Sequence, residues 1–184
     1  VVSDNRYGLY SKKTKSVILT HQVFPKAPIA KSLLHKKIEK LLRSFDEVWI
    51  PDDKTNNNLS GDLSHFKTLK QRHSFIGPLS RFSLPTKTLN IEFDVCAIIS
   101  GPEPQRTIFE KKLIEEINKY NLKSIFVRGL PSVSGSNIDT KTITVFNHLE
   151  TKKLQEYILK SKLVVCRSGY SSIMDMDALN KKAL

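Results

Sequence analysis

The chain has 184 residues, 39% of them apolar and 26% charged, with a formal net charge of +12. That length can bury a substantial core, as one large domain or two small ones. No apolar run approaches the roughly 18 residues of a membrane-spanning helix.

The opening VVSDNRYG reads as the end of a strand already under way. SVILTHQV (16–23) predicts a buried strand, and Pro25 and Pro28 mark the turn that follows. IAKSLLHKKIEKLLR (29–43) has apolar residues at 29, 33, 34, 38, 41 and 42, which is helical spacing. Its polar side carries Lys31, Lys36, Lys37, Lys40 and Arg43. Such a helix either packs its apolar side on a sheet or lies on an anionic membrane surface. DEVWIP (46–51) is a second strand stopped by Pro51, DDKTNNNLSGD a polar loop, and HSFIGP (73–78) a short strand before another turn. Residues 79–92 have no clear period and read as a linker.

The pattern then restarts. FDVCAIIS (93–100) is a continuous apolar strand of the kind buried in parallel sheets. QRTIFEKKLIEEINKY predicts a helix with Ile108, Phe109, Leu113, Ile117 and Tyr120 on one face. KSIFVRG (123–129) and TITVFNHL (142–149) are strands, KKLQEYILKS a short helix and KLVVC a strand. SIMDMDALNKKAL is a last helix that runs off the end, with no cap and no strand after it. Strands alternating with helices predict an α/β fold with parallel sheets, and the restart near residue 90 predicts two such domains. The expected division is 1–82, a linker at 83–92, and 93–184, with both domains cut from larger ones.

Cys96 and Cys166 lie inside apolar strand-like runs. Two unpaired buried thiols point to a reducing, cytoplasmic setting, and no metal-ligand spacing is present. The charge is uneven: residues 1–90 hold 16 Lys/Arg against 7 Asp/Glu, and residues 91–184 hold 14 against 11. A basic region attracts nucleic acid, anionic lipid or phosphorylated ligands, although a lysine-rich solvated surface also produces it. The aromatic residues are not interleaved with the basic ones as a base-stacking surface requires, so nucleic acid is not the expected partner.

Two strand-to-helix junctions share a design. IISGPEPQR (98–106) leaves one strand through Ser100-Gly101-Pro102, and VVCRSGYSS leaves another through Arg167-Ser168-Gly169. Ligands of open parallel sheets bind at the carboxyl ends of strands, where free helix N–H groups favour a phosphate. Any such turn also favours Gly, Pro and Ser. Ser172 with Asp175 fits a capping box that puts Asp175 in the first helical turn, and the same carboxylate suits a ribose diol. Phe146, at a strand end, could pack on a base or belong to the core. In the first half, Asp4, Asn5, Arg6, His21 and Gln22 terminate strands at one sheet edge, where His21 could serve as a base.

The stretches FIGPLSR, SGPEPQR and TVFNHLETKKLQEYILKSKLVVCRSGYSSIMD together resemble glycosyltransferase family 28, which includes the lipid II-forming N-acetylglucosaminyltransferase of peptidoglycan synthesis. The resemblance is most specific over 142–180, looser over 73–106, and in 1–50 rests on THQ and strand order. It implies the GT-B architecture of two Rossmann-like domains, with the nucleotide-sugar donor held mainly by the C-terminal one. It implies donor-binding roles for Ser100, Gly101, Arg106, Phe146, Asn147, Arg167, Ser168, Gly169, Ser172 and Asp175, with Phe146 and Asn147 at a uracil pocket and Asp175 at the ribose. His21 matches a histidine near the acceptor, and Asp4 is a weaker catalytic candidate. Ser-Gly-Pro stands where the family has a Gly-Gly-Ser type loop, Asp175 stands where it has glutamate, and Tyr170 replaces a small residue.

The expected activity is transfer of a sugar from a UDP-linked donor to an acceptor hydroxyl with inversion, without a cofactor or metal. The acceptor would be lipid-linked or phosphorylated, and the enzyme cytoplasmic, at the inner face of the membrane. A GT-B nucleotide-sugar hydrolase or 2-epimerase is the enzymatic alternative, and a non-catalytic anion- or nucleic-acid-binding module the alternative of another class.

Overall fold

The computed structural model describes residues 1–86, 89–131, 133 and 138–184. The chain forms two compact units, Val1–Leu79 and Ser80–Leu184. Lys87 and Thr88, in the expected linker, lie outside the described residues.

The first unit runs β1 (Val2–Asp4), β2 (Val17–Leu19), α1 (Lys31–Leu42), β3 (Glu47–Ile50), the short α2 (Asp62–His65) and β4 (His73–Phe75). Its four strands are all parallel, in the order β1-β2-β3-β4. Ile18, Val48 and Ile50 pack with Phe24, Leu42 and Phe45 into one core. The strand expected over 16–23 is only three residues long; past it the Thr20 N–H still donates to Trp49 O at 3.0 Å, and the Thr20 hydroxyl donates to Asn5 Oδ1 at 2.9 Å. The helix expected from residue 29 begins at Lys31, with Ala30 capping it in the left-handed region at φ 59°. Ile29 and Leu33, expected to face the sheet, are 84% and 70% exposed; His35 and Leu42 take the buried side.

The second unit runs β5 (Phe93–Ile98), α3 (Gln105–Lys119), β6 (Ser124–Val127), β7 (Ile138–Asp139), β8 (Ile143–Phe146), α4 (Thr151–Leu159), β9 (Ser161–Cys166) and α5 (Tyr170–Ala178). The sheet order is β7-β8-β6-β5-β9, parallel throughout except for the edge pair β7 and β8. Side chains alternate across this sheet. Val95, Ala97, Phe126 and Val145 pack on one face with Phe109, Leu113 and Ile117 of α3. Cys96, Ile125, Val127 and Val164 pack on the other with Leu154 and Ile158 of α4 and Met176 of α5. Helices therefore cover both faces, the doubly wound Rossmann-like arrangement. Full burial of a side chain such as Ile125 or Ile158 stabilises by about 1.5–3 kcal/mol.

Three details differ from expectation. On α3, Ile108 is 50% and Tyr120 71% exposed. Ile108 lies on the opposite side of the helix from Leu113 and Ile117 at about 100° per residue, and Tyr120 sits past the last helical turn. The last helix does not run off the end. It stops at Ala178, Asn180 turns the chain in the left-handed region at φ 48°, and Ala183 forms a parallel bridge with Val164. The N–H of Cys166 then donates to Leu184 O at 3.0 Å, so the outer side of β9 is paired here. Finally, Phe82 is buried in the core beneath α4 and α5.

Candidate functional site

The chain order of the second sheet fixes where a crevice must open. From β5 the chain steps outward to β6 and β8, then returns to place β9 on the other side of β5. The connections after β5 and β9 diverge to opposite faces, since α3 packs on one and α5 on the other. This is the topological switch point, the position at which open parallel sheets bind ligands outside the strand carboxyl ends. Ile98 and Cys166 are in register, so Ser100-Gly101 and Arg167-Ser168-Gly169 leave the sheet side by side.

Glycine suits position 101 for two reasons. Its φ of +109° is a conformation that L-residues rarely adopt, and a Cβ on it would lie 1.9 Å from Arg167 Nη1 and 2.9 Å from Cζ. The Arg167 guanidinium thus lies against the Gly101 backbone, with Nη1 3.4 Å from Ser100 O. Among the described residues no carboxylate forms an ion pair with Arg167, whereas Arg81, Arg106 and Arg128 each have one. Gly169, at φ −68° and ψ 142°, caps α5 with no side-chain hydrogen bond, leaving the helix's positive end to face the turn. A cavity of about 230 Å³ adjoins it, lined by Arg167, Ser168, Ser172, Ile173, Met176 and Leu184 among others.

The capping box at Ser172 and Asp175 is not formed. Because Gly169 already supplies the extended cap, α5 begins at Tyr170, Ser172 is its third residue and Asp175 its sixth. Asp175 instead accepts from Ser80 Oγ at 2.6 Å and faces Arg81 Nε at 3.6 Å. Ser80 and Arg81 close the FIGPLSR stretch, but no local pattern marks them as partners of a carboxylate 95 positions away in the chain.

Arg106 is the second residue of α3, and its guanidinium is engaged by Glu103 and by the buried Glu110 at 3.7 Å. Glu110 also holds Arg128, with Nη2 at 2.6 Å, and Arg128 Nη1 reaches Asn147 Oδ1 at 3.3 Å. Phe146 ends β8 and Asn147 follows it, two strands away from β5. One face of Phe146 is stacked on Tyr157 (5.4 Å between centroids, 29°), and the Asn147 carbonyl accepts the Leu130 N–H at 2.7 Å. The structure therefore brings Ser100, Gly101, Arg167, Ser168, Gly169 and Ser172 together around one crevice, places Asp175 further along α5, and ties Arg106, Phe146 and Asn147 into neighbouring contacts. Burial pushes the thiol of Cys96 up to about 12 and raises that of Cys166, so neither is an activated nucleophile.

In the first unit, Asp4 and Leu19 are in register, which places Asp4, Asn5, Arg6, His21 and Gln22 at the carboxyl edge of β1 and β2. Asn5 holds the edge together: its N–H donates to Leu19 O at 2.9 Å, and its side chain accepts from Thr20. Burial lowers the pKa of His21, and the carboxylates of Asp52 and Asp4 oppose that shift. The net direction keeps the imidazole neutral at pH 7, able to accept a proton. Asp52 is not among the residues that the sequence marks. Its buried carboxylate accepts the N–H groups of Asp53, Leu59 and Ser60 at 2.8–2.9 Å and the Ser60 hydroxyl, with His65 Nε2 at 3.3 Å.

Among the described residues, no group of three or more His, Cys, Asp or Glu side chains is gathered as a metal site. No model of a known protein family matches the chain, and no curated protein matches it.

Proposed function

We propose that the second unit binds the nucleoside diphosphate of a nucleotide sugar at the β5/β9 crevice, and that the two units belong to a GT-B glycosyltransferase acting on a UDP-linked donor. The observation that carries this reading is the placement of an arginine with no carboxylate partner among the described residues, laid against a glycine backbone at the topological switch point of a Rossmann-like sheet. Arg167 and the positive end of α5, whose glycine cap makes no side-chain hydrogen bond, supply positive potential where a diphosphate would lie, and Ser168 and Ser172 supply hydroxyl donors. Asp175, on the same helix, is the acceptor for the ribose hydroxyls once Ser80 yields its hydrogen bond.

In the reaction, the acceptor oxygen attacks the anomeric carbon, and the bond from that carbon to the diphosphate oxygen breaks with inversion. The acceptor proton passes to a base, and the diphosphate leaves with the bonding electron pair. Fixed positive groups around the leaving oxygen act most strongly as its charge develops.

A thermal-shift series with UDP, UDP-sugars, ADP and GDP separates the outcomes, because a ligand that binds only the folded state raises its melting temperature. UDP compounds at one hundred times Kd are expected to raise Tm by roughly 5–10 °C, and Arg167→Ala is expected to abolish the response. A chain that responds to none of the nucleotides would overturn the proposal.

A further inference from the structure

The two junctions of the β5/β9 crevice differ in what holds them. At the β9 end, Gly169 caps α5 without a side-chain hydrogen bond, and Arg167 has no carboxylate partner among the described residues. At the β5 end the chain supplies an anion of its own. Glu103 lies two residues before α3, and its Oε2 accepts the Thr107 N–H at 3.3 Å and the Thr107 hydroxyl at 2.8 Å, while Oε1 accepts from Arg106 Nη2. One carboxylate therefore sits on the N-terminal turn of α3 and on an arginine, the two kinds of group that favour a phosphate. The members of this pair are held differently. The Glu103 side chain is 53% exposed, whereas that of Arg106 is 14% exposed and keeps a second contact to the buried Glu110 at 3.7 Å. Glu103 can thus rotate into solvent while Glu110 keeps Arg106 in place.

We propose that Glu103 is a built-in competitor of the diphosphate: its carboxylate holds the β5 end of the crevice in the free protein, and a nucleotide must displace it to reach Arg106 and the N-terminal turn of α3. The inference rests on the nucleotide reading of this crevice and adds a control on its affinity. Ile98 and Cys166 are in register, so the two junctions emerge side by side and an anion at one lies near an anion at the other. A diphosphate at Arg167 and the Glu103 carboxylate therefore repel, and the repulsion is strongest while Glu103 stays on α3. The contacts that Glu103 gives up are those of an exposed helix cap and an exposed ion pair, which contribute little. A ligand without phosphates has no contact to gain by displacing it, so the competition acts on charge alone.

Calorimetry of the whole chain with UDP and with uridine tests it, comparing the parent with Glu103→Gln, which keeps the size of the side chain and removes its charge. UDP is expected to bind Glu103→Gln roughly tenfold more tightly, and uridine to bind both proteins alike. Arg106→Ala should weaken UDP binding more in the Glu103→Gln background than in the parent, because only there is the guanidinium released. Glu103→Ala, which cannot hydrogen-bond Thr107, should show the same tightening for UDP, and circular dichroism would show that α3 is intact in both. UDP binding by the parent with no tightening in either variant would overturn the proposal and make Glu103 a helix cap alone; an equal tightening for uridine would overturn it too. If neither parent nor variants bind UDP, the nucleotide reading itself fails, and this inference with it.

Discussion

Gly101 and Arg167 are coupled by the absence of one carbon atom. Gly101→Ala places a Cβ in the guanidinium and forces a strained φ, so it is expected to cost about 1–3 kcal/mol in urea unfolding. Arg167→Ala removes the collision but not the backbone strain, so the double variant should recover part of that loss; strict additivity would show that the two residues do not press on each other. Asp175 has two roles to separate. Asp175→Ala is expected to weaken UDP-sugar binding by about 1–3 kcal/mol, the range for losing hydrogen bonds to a charged group, when measured by calorimetry. A loss of stability with unchanged affinity would confine it to holding Ser80, since the half-exposed Arg81 contributes little. For His21, burial sets the direction. Its titration followed by NMR should have a midpoint below the ordinary 6.5, and Asp52→Asn or Asp4→Asn should move it lower still by removing charges that favour the imidazolium. The Ser-Gly turns were legible because glycine and serine are local signals. The Ser80–Asp175 bond was not, because a contact closed only by tertiary folding leaves no periodic trace.

At the scale of elements, the loop after β3 is the clearest case of a structure built around one charge. Burial alone would raise the pKa of Asp52, but the N–H groups of Leu59 and Ser60, the Ser60 hydroxyl and the Asp53 N–H outweigh it, and the net shift is downward. A carboxylate depressed on folding contributes stability that is present above its unfolded value, about 3.9, and is lost as pH falls through the lower folded value. The first unit is therefore expected to hold its stability down to about pH 4 and then lose it, while Asp52→Asn, at about 2–3 kcal/mol destabilised, should flatten that dependence in pH-resolved denaturation. A parent and variant with parallel pH profiles would contradict this. The residues DDKTNNNLSGD announced a polar loop through their turn chemistry, yet nothing in them showed that Asp52 would be buried inside it. The helices were legible from apolar spacing, with errors where spacing alone cannot choose a face: Ile108 and Tyr120 on α3, Ile29 and Leu33 on α1. The two-residue antiparallel β7 carries too short a pattern to be seen at all.

At the scale of the molecule, alternation of strands and helices predicts parallel α/β sheets, and both units have them. Strand order is a different matter. It depends on which apolar face each helix covers, and that is decided by packing among residues such as Val95, Phe126 and Ile117 rather than by any one segment. The return of β9 to β5 converts two ordinary-looking turns into neighbours, and the whole functional reading rests on that adjacency. The most direct measurement is a two-dimensional NMR titration of the whole chain with UDP. Saturable shifts concentrated on the amides of Ser100, Gly101, Glu103 and Arg167 through Ser172 are predicted; no saturable shifts, or shifts that leave these amides unmoved, would contradict the nucleotide site at the β5/β9 crevice.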